Sequence, residues 1–310
     1  NFLNVADTVV YFVANGGVGG AVNGQLWKTD GTEMGTVQVL DTVDIQDDFL
    51  IEINGMLYFL ADNAVNGTEL WKSDGTRAGT ELVKDLNPGS GDFRIFQPVE
   101  YNGNLIFVGT TGIGNFGDLY ISDGTTAGTG ILKDINTAHS YDIMVVGDDI
   151  YTEFNGELYF TAVDDATGYE LWKTDGTEAG TELVIDIDTS ESSPGSPNSS
   201  FPSYFEVFNN ELYFYATSVA GLDLWKTDGT AAGTQLVKPN SSIGGVYRAN
   251  EMIVINGSLF FVGNSDETGD ELAKTDGTAA GTYIISDIAP GVASSFPTVG
   301  GTSGDFVNLN

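Results

Sequence analysis

The sequence predicts an all-β fold, a six-bladed β-propeller of four-stranded antiparallel blades. Three observations predict it. The tripeptide Asp-Gly-Thr occurs six times, beginning at Asp30, Asp74, Asp123, Asp175, Asp228 and Asp276. Each copy lies in a longer phrase, clearest as Glu170-Leu-Trp-Lys-Thr-Asp-Gly-Thr-Glu-Ala-Gly-Thr-Glu-Leu-Val184. Nineteen to 23 residues before each copy stands a turn dipeptide, followed by an apolar run. Copies 44 to 53 residues apart give room for four short strands, which is one blade. With 41 Gly, 18 Phe and 13 Tyr against 8 Pro, the composition suits short strands and tight turns.

Each element follows from local chemistry. Asn54-Gly55 accepts positive φ at both central positions, so it joins a first strand (Phe49 to Ile53) to a second (Leu57 to Ala61) as a two-residue hairpin. Asn102-Gly103, Asn155-Gly156, Asn209-Asn210 and Asn256-Gly257 repeat that hairpin, and Asp7-Thr8 is a degenerate first copy. The Glu-Leu-Trp-Lys segment is the third strand, the Asp-Gly-Thr tract turns the chain, and the fourth strand follows, as in Glu81 to Lys84. In the tract, Asp is expected to accept a backbone N–H, Gly to adopt positive φ and Thr to close the turn. The tracts somewhat resemble the structural Asp-box turns of other propellers. Trp27, Trp71, Trp172 and Trp225 share one repeat position and are expected to pack between blades rather than to form a ligand platform. A β-solenoid, or a fragment of a longer propeller array, is the alternative architecture.

The phrase Glu-Leu-Trp-Lys-Thr-Asp-Gly-Thr resembles the ELWxxDGT repeat of secreted and surface proteins of bacteria. The resemblance runs over the whole chain and implies an extracellular repeat module, with no established reaction. Two copies depart from it: Tyr120-Ile121 replaces Trp-Lys in the third, and Ala273 replaces Trp in the sixth. Those blades are expected to pack differently at that seam. Residues 303–310 joined to 1–8 give a passable copy of 90–103. A single domain over 1–310, its ring closed by adjacent termini, is therefore expected.

Charge and composition exclude several functions. The 44 acidic and 11 basic residues give a net charge of -33, which disfavours nucleic acid and anionic membranes. No Cys is present, and the single His, His139, rules out a multi-His metal site and leaves little for a Ser-His-Asp triad. No apolar run approaches the roughly 18 residues of a membrane helix, so membrane insertion is not expected. The first residues read as neither a charged nor an apolar leader, so any signal peptide is expected to have been removed.

Candidate sites follow from the residues that the repeat does not fix. The segments from Asp-Gly-Thr to the next turn dipeptide vary from 24 to 34 residues, and the longest linkers run from Asp134 to Asp149 and from Asp186 to Ser203. Variable loops on a rigid scaffold carry function, so their face is the expected binding face. Loops between second and third strands hold Asp62, Asp164, Asp165, Asp266, Glu267 and Asp270, hard oxygen ligands that suit calcium (Ca2+), though none has EF-hand spacing. The plain reading of these loops is a solvated acidic surface.

Eight of the eleven cations sit at repeat positions and are expected to pair with neighbouring carboxylates. Arg94 and Arg248 each lie eight residues before a turn Asn, so in a six-bladed ring they would flank the channel and grip an anionic group. The alternative is that a local acid, such as Asp92, holds each of them. If the chain is an enzyme, His139, Tyr141 and Asp142 are the first acid–base group to test.

The expected function is a non-catalytic extracellular binding or adhesion module, secreted or at the cell surface. It would present its variable face to a glycan, an extracellular polymer or a surface protein, with calcium support and no organic cofactor. The alternatives are a polysaccharide hydrolase or lyase, and a spacer domain without a ligand.

Overall fold

The computed structural model describes residues 2–5, 9–15, 24–112, 116–137, 142–144, 150–219, 221–237, 252–265, 268–293 and 295. Among these residues there is no helix, and six antiparallel sheets built on four strands follow one another along the chain, the third with a fifth short strand added. Sheet 1 comprises Phe2–Val5, Val9–Ala14, Gln25–Thr29 and Val37–Leu40. Sheet 2 comprises Asp44–Ile53, Met56–Asp62, Thr68–Ser73 and Thr80–Lys84. Sheet 3 comprises Arg94–Tyr101, Asn104–Thr110, Phe116–Ser122 and Thr129–Lys133, with Ile143–Met144 beside its third strand. Sheet 4 comprises Thr152–Phe154, Glu157–Asp164, Gly168–Thr174 and Glu182–Ile185. Sheet 5 comprises Ser203–Phe208, Glu211–Ser218, Gly221–Thr227 and Gln235–Leu236. Sheet 6 comprises Ile253–Ile255, Ser258–Ser265, Gly269–Thr275 and Tyr283–Ile284. The chain groups into two compact units, residues 1–148 with sheets 1 to 3 and residues 149–310 with sheets 4 to 6.

The strands are where the turn chemistry puts them. Asn54 and Gly55 have φ of 53° and 81°, and the other four Asn-Gly or Asn-Asn dipeptides also have positive φ at both positions. This is the mirror-image turn whose twist matches antiparallel strands. The Asp7-Thr8 turn lies outside the described residues.

Both faces of the second strand are buried in sheets 2 to 5, so it reads there as an unbroken apolar run rather than an alternation. In sheet 2, Leu57, Phe59 and Ala61 pack with Tyr11, Leu26 and Leu40 of sheet 1. The intervening Tyr58 and Leu60 pack with Phe93, Leu105 and Phe107 on the side of sheet 3. Sheets 4, 5 and 6 repeat the arrangement through Leu212 and Phe214 on one face of sheet 5, and Tyr213 and Tyr215 on the other. Two of the four tryptophans serve these seams: Trp71 joins the sheet 1–2 core and Trp225 the sheet 4–5 core, while Trp172 is buried and Trp27 stacks on Phe12 of its own sheet. Tyr120 and Ala273 take the same position in the cores of seams 2–3 and 5–6.

Cross-strand neighbours on the second and third strands clamp the following sheet. Tyr11 pairs with Lys28, Tyr58 with Lys72, Tyr159 with Lys173 and Tyr213 with Lys226. Lys28, Lys72 and Lys226 donate to the carbonyls of Gly75, Gly124 and Gly277 in the next Asp-Gly-Thr turn. The tyrosine hydroxyls press on those glycines so closely that a Cβ on Gly124 would lie 2.3 Å from Tyr58 Oη. Sheets 3 and 6, the last of their units, lack the tyrosine: Ile106 faces Ile121, and Phe260 faces Lys274. The lysines also meet the expected carboxylates, Lys72 with Glu81, Lys173 with Glu157 and Glu182, and Lys226 with Glu211.

Candidate functional site

The six Asp-Gly-Thr tracts build one hydrogen-bonded turn six times. In sheet 4, Asp175 Oδ1 accepts from Thr177 N at 2.9 Å and Thr177 Oγ1 at 2.7 Å. Gly180 N donates to Thr177 Oγ1, and the Thr174 and Thr181 hydroxyls pair at 2.7 Å. Each of the six aspartates accepts the same two bonds, which hold its carboxyl below the ordinary range. A carboxylate committed to its own turn is a structural part.

A second set of acids is buried at the opposite end of the sheets. Glu69, Glu170 and Glu271, at the start of their third strands, are fully buried. Each clasps the chain leaving the fourth strand. Glu69 accepts from Leu86 N and Asn87 N, and Glu271 from Ile288 N and Ala289 N. Burial pushes Glu69 and Glu170 up to about 7. In sheet 3 the shorter Asp118 stands at this position, and Asp142 supplies the clasp by accepting from Ile135 N and Asn136 N. Burial and the neighbouring Asp142 and Asp134 push Asp118 up to about 7. Asp142 is therefore a fully buried anchor of the chain leaving the fourth strand.

Glu170 uses its clasp differently, and the difference creates the candidate site. One carboxylate oxygen accepts from Ile187 N at the start of the long linker, and the other accepts from Ser200 N near its end, both at 2.9 Å. The Ser200 hydroxyl also donates to Glu170. The excursion between is folded into a hairpin of Glu191–Ser193 and Ser196–Pro197, tied at its base by Asp188, Ser190 and Asn198. Gly168 lets the returning chain pass: a Cβ there would sit 2.5 Å from the Asn198 carbonyl oxygen. Ser200 N and Phe201 N both donate to Tyr169 O, while Thr217 N donates to Ser200 O. The segment is thus pinned to sheets 4 and 5 at once.

This anchorage holds two aromatic side chains in the open. Phe201 and Tyr204 are each 46% exposed, with φ of 48° and 56°. Positive φ is a rare conformation for bulky residues, and Phe201 also precedes Pro202. Phe201 stacks on Tyr169, with ring centroids 5.2 Å apart and planes at 22°. Tyr204 lies in an irregular stretch of the first strand of sheet 5 and meets the buried Tyr215 edge-on at 6.4 Å. Such bulges re-aim side chains, and strain of this kind concentrates at functional sites. Glu206, half-buried with its carboxyl raised by desolvation, follows two residues later.

The residues expected from sequence are placed as follows. Asp62 accepts from Ala64 N, and Asp164 accepts from Ala166 N, Thr167 N and the Thr167 hydroxyl, so these carboxylates close their own loops. Asp165 is exposed and Asp270 buried; Asp266 and Glu267 lie outside the described residues. Among the described residues no three acids or histidines converge as a metal ion requires. Arg94 is exposed at the start of its strand, and Asp92 instead accepts from Thr68 N. Arg248, His139 and Tyr141 lie outside the described residues. The aromatic pair was missed by sequence reasoning, although its signal was present: Phe201 stands eight residues before Asn209, the offset that singled out Arg94 and Arg248.

No family model matches the chain, and no curated protein matches it. Among solved structures the chain is similar to a puromycin hydrolase, at 12% identity and a TM-score of 0.41 over 94% of this chain and 45% of that one. It is similar to prolyl oligopeptidase B from Galerina marginata, at 12% identity and a TM-score of 0.43 over 90% of this chain and 40% of that one. It is also similar to TolB from Acinetobacter baumannii, at 10% identity and a TM-score of 0.34 over 87% and 62%. The chain thus spans less than half the length of the first two of these structures, and under two thirds of the third.

Proposed function

We propose that the chain is a non-catalytic extracellular binding module, a single six-bladed propeller whose linker face takes a glycan. The observation that carries the reading is the pair Phe201 and Tyr204, exposed, held at positive φ and fixed from behind by Tyr169, Tyr215 and the Glu170 clasp. Flat aromatic faces presented without conformational freedom bind sugar rings at little entropic cost. The ring is supported by six equivalent sheets and by the approach of the first strands of neighbouring sheets within each unit. In a closed ring the residues just before each first strand, Phe201 among them, would face the central channel. The resemblance to the ELWxxDGT repeat favours an extracellular setting.

The test is a glycan array followed by titration of each bound oligosaccharide against Phe201→Ala and Tyr204→Ala. Each substitution is expected to weaken binding about tenfold, the scale of one aromatic contact. Binding that survives both, with melting unchanged, would place the ligand elsewhere. Turnover of any bound polysaccharide would favour the enzymatic alternative.

A further inference from the structure

We infer that the glycan bound at Phe201 and Tyr204 is cationic, an amine-bearing saccharide rather than a neutral or uronate-bearing one. The inference rests on the binding reading above and adds the charge of the ligand. It follows from how charge is distributed along sheets 4 and 5. The described cations of sheets 4 to 6 are Lys173, Lys226 and Lys274. All three stand at the end of a third strand that meets an Asp-Gly-Thr turn. Each is engaged there: Lys173 with Glu157 and Glu182, Lys226 with Glu211 and Gly277 O, and Lys274 over the Tyr283 ring at 5.3 Å.

The linkers leave from the other end of these sheets, and that end is acidic. Asp164 ends the second strand of sheet 4, Asp186, Asp188 and Glu191 lie in the linker, and Glu206 follows Tyr204 in the first strand of sheet 5. Asp186 interacts electrostatically with both Asp188 and Asp164. Its Oδ1 is buried and meets no donor among the described residues. The whole chain carries -33, so a polyanion meets repulsion before it reaches the aromatic pair. A protonated or quaternary amine gains from both features, since it is attracted to the carboxylates and to the negative face of an exposed aromatic ring. Phe201 and Tyr204 supply the faces, and the acids behind them supply the field. Two cations of the sequence, Lys238 and Arg248, lie outside the described residues; the experiment reads their effect as part of the intact chain.

Three oligomers of β-linked glucosamine of equal length, differing only in the nitrogen, test the inference on the full chain. One is N-acetylated and neutral, one carries free amines, and one is N-trimethylated and permanently charged. Titration of the N-trimethyl oligomer keeps ligand charge independent of pH, and all three oligomers are compared at pH ~8. The expected result is at least tenfold tighter binding of the N-trimethyl than of the N-acetyl oligomer at low salt. That preference should shrink severalfold at about 0.5 M salt, where exposed charges are screened beyond a few ångströms. Glu191→Gln and Glu206→Gln should each weaken the charged oligomer about two- to fivefold and leave the neutral one unchanged. Phe201→Ala should weaken both. Equal or tighter binding of the neutral oligomer, still dependent on Phe201, would overturn the charge inference and leave the binding reading standing. Binding of neither oligomer, or binding indifferent to Phe201→Ala, would overturn both.

Discussion

The repeated turn makes a prediction that can be worked out at one residue. Gly180 lies beneath the carboxylate of Asp175, and a Cβ built on it would stand 2.1 Å from Asp175 Oδ1. No side chain fits there while the carboxylate keeps its place. Gly180→Ala must therefore evict Asp175 and break its bonds to Thr177 N and Thr177 Oγ1. A hydrogen bond to a charged group is worth about 1.5–3 kcal/mol when sheltered, and exposure of this turn reduces the pair to roughly 2 kcal/mol in total. Asp175→Ala loses the same two bonds and should be destabilised by a similar ~2 kcal/mol. The double variant cannot lose them twice. It should sit near the Asp175→Ala variant, and a few tenths of a kcal/mol above it, because alanine restricts the unfolded chain more than glycine does. The expected coupling is thus about 2 kcal/mol of non-additivity. Thermal and urea denaturation of the four proteins reads it, with each variant melting roughly 3 °C below the parent. Additive losses in the double variant would show that Gly180 is required for some other reason and refute the steric account of the motif.

Other predictions concern the buried acids and the exposed rings. The six turn aspartates have lowered pKa values, so their stabilisation is present above the unfolded value of 3.8 and is lost as pH falls through the folded value. Glu69, Glu170 and Asp118 are raised to about 7, so folding takes up protons and stability falls as pH rises from near 4 toward 7. The melting temperature should therefore peak between about pH 4 and 5; a maximum at or above neutrality would contradict the burial of these acids. Glu170→Ala removes the acceptor for Ile187 N, Ser200 N and the Ser200 hydroxyl, and should destabilise by about 3 kcal/mol. Limited proteolysis of that variant should cut first within residues 187–200, and first cleavage elsewhere would deny the clasp its role. Phe201→Asn relieves positive φ, worth about 1 kcal/mol, and loses the Tyr169 stack, worth a similar amount. Its melting temperature should stay within about 2 °C of the parent while glycan binding is lost, and a large drop would make Phe201 a structural residue.

The strands and turns were legible because each rests on chemistry confined to a few residues. Asn54-Gly55 determines its hairpin through two φ angles, and the Asp-Gly-Thr tract closes through side chains within seven residues of one another. The inter-sheet role of Trp71 and Trp225 was readable from their shared repeat position. The Tyr–Lys clamp was not read, because it is a relation between second and third strands that reaches into the next repeat. Only the register shows Tyr58 beside Lys72 and both against Gly124. The anchoring role of Asp142 was not read for a related reason. The sequence showed an acid beside the only histidine, and nothing local revealed that Asp118 is a methylene too short to perform the clasp that Glu69 and Glu170 perform.

The same comparison across repeats explains why the candidate site lies where it does. In sheets 2 and 6 the buried glutamate takes two consecutive amides, so it clasps the chain leaving the fourth strand at a single point. In sheet 4 the second amide comes from Ser200, thirteen residues beyond Ile187, and one carboxylate then closes a loop of that length. Closing a loop with a buried carboxylate gives an insertion the rigidity of the scaffold. It also fixes the residue immediately after Ser200 against Tyr169 O, with its φ at 48°. Strain at Phe201 thus arises from an insertion anchored at both ends by an element the other sheets use for packing. Shortening the loop between Ile187 and Ser200 while keeping Glu170 should restore the two-amide clasp of sheet 2 and leave the fold intact. It should also remove the strained geometry and with it the exposed aromatic pair. A shortened chain that melts as the parent does and no longer binds would establish that the scaffold and the site are separable. A shortened chain that fails to fold would show instead that the long linker belongs to the sheet 4–5 core.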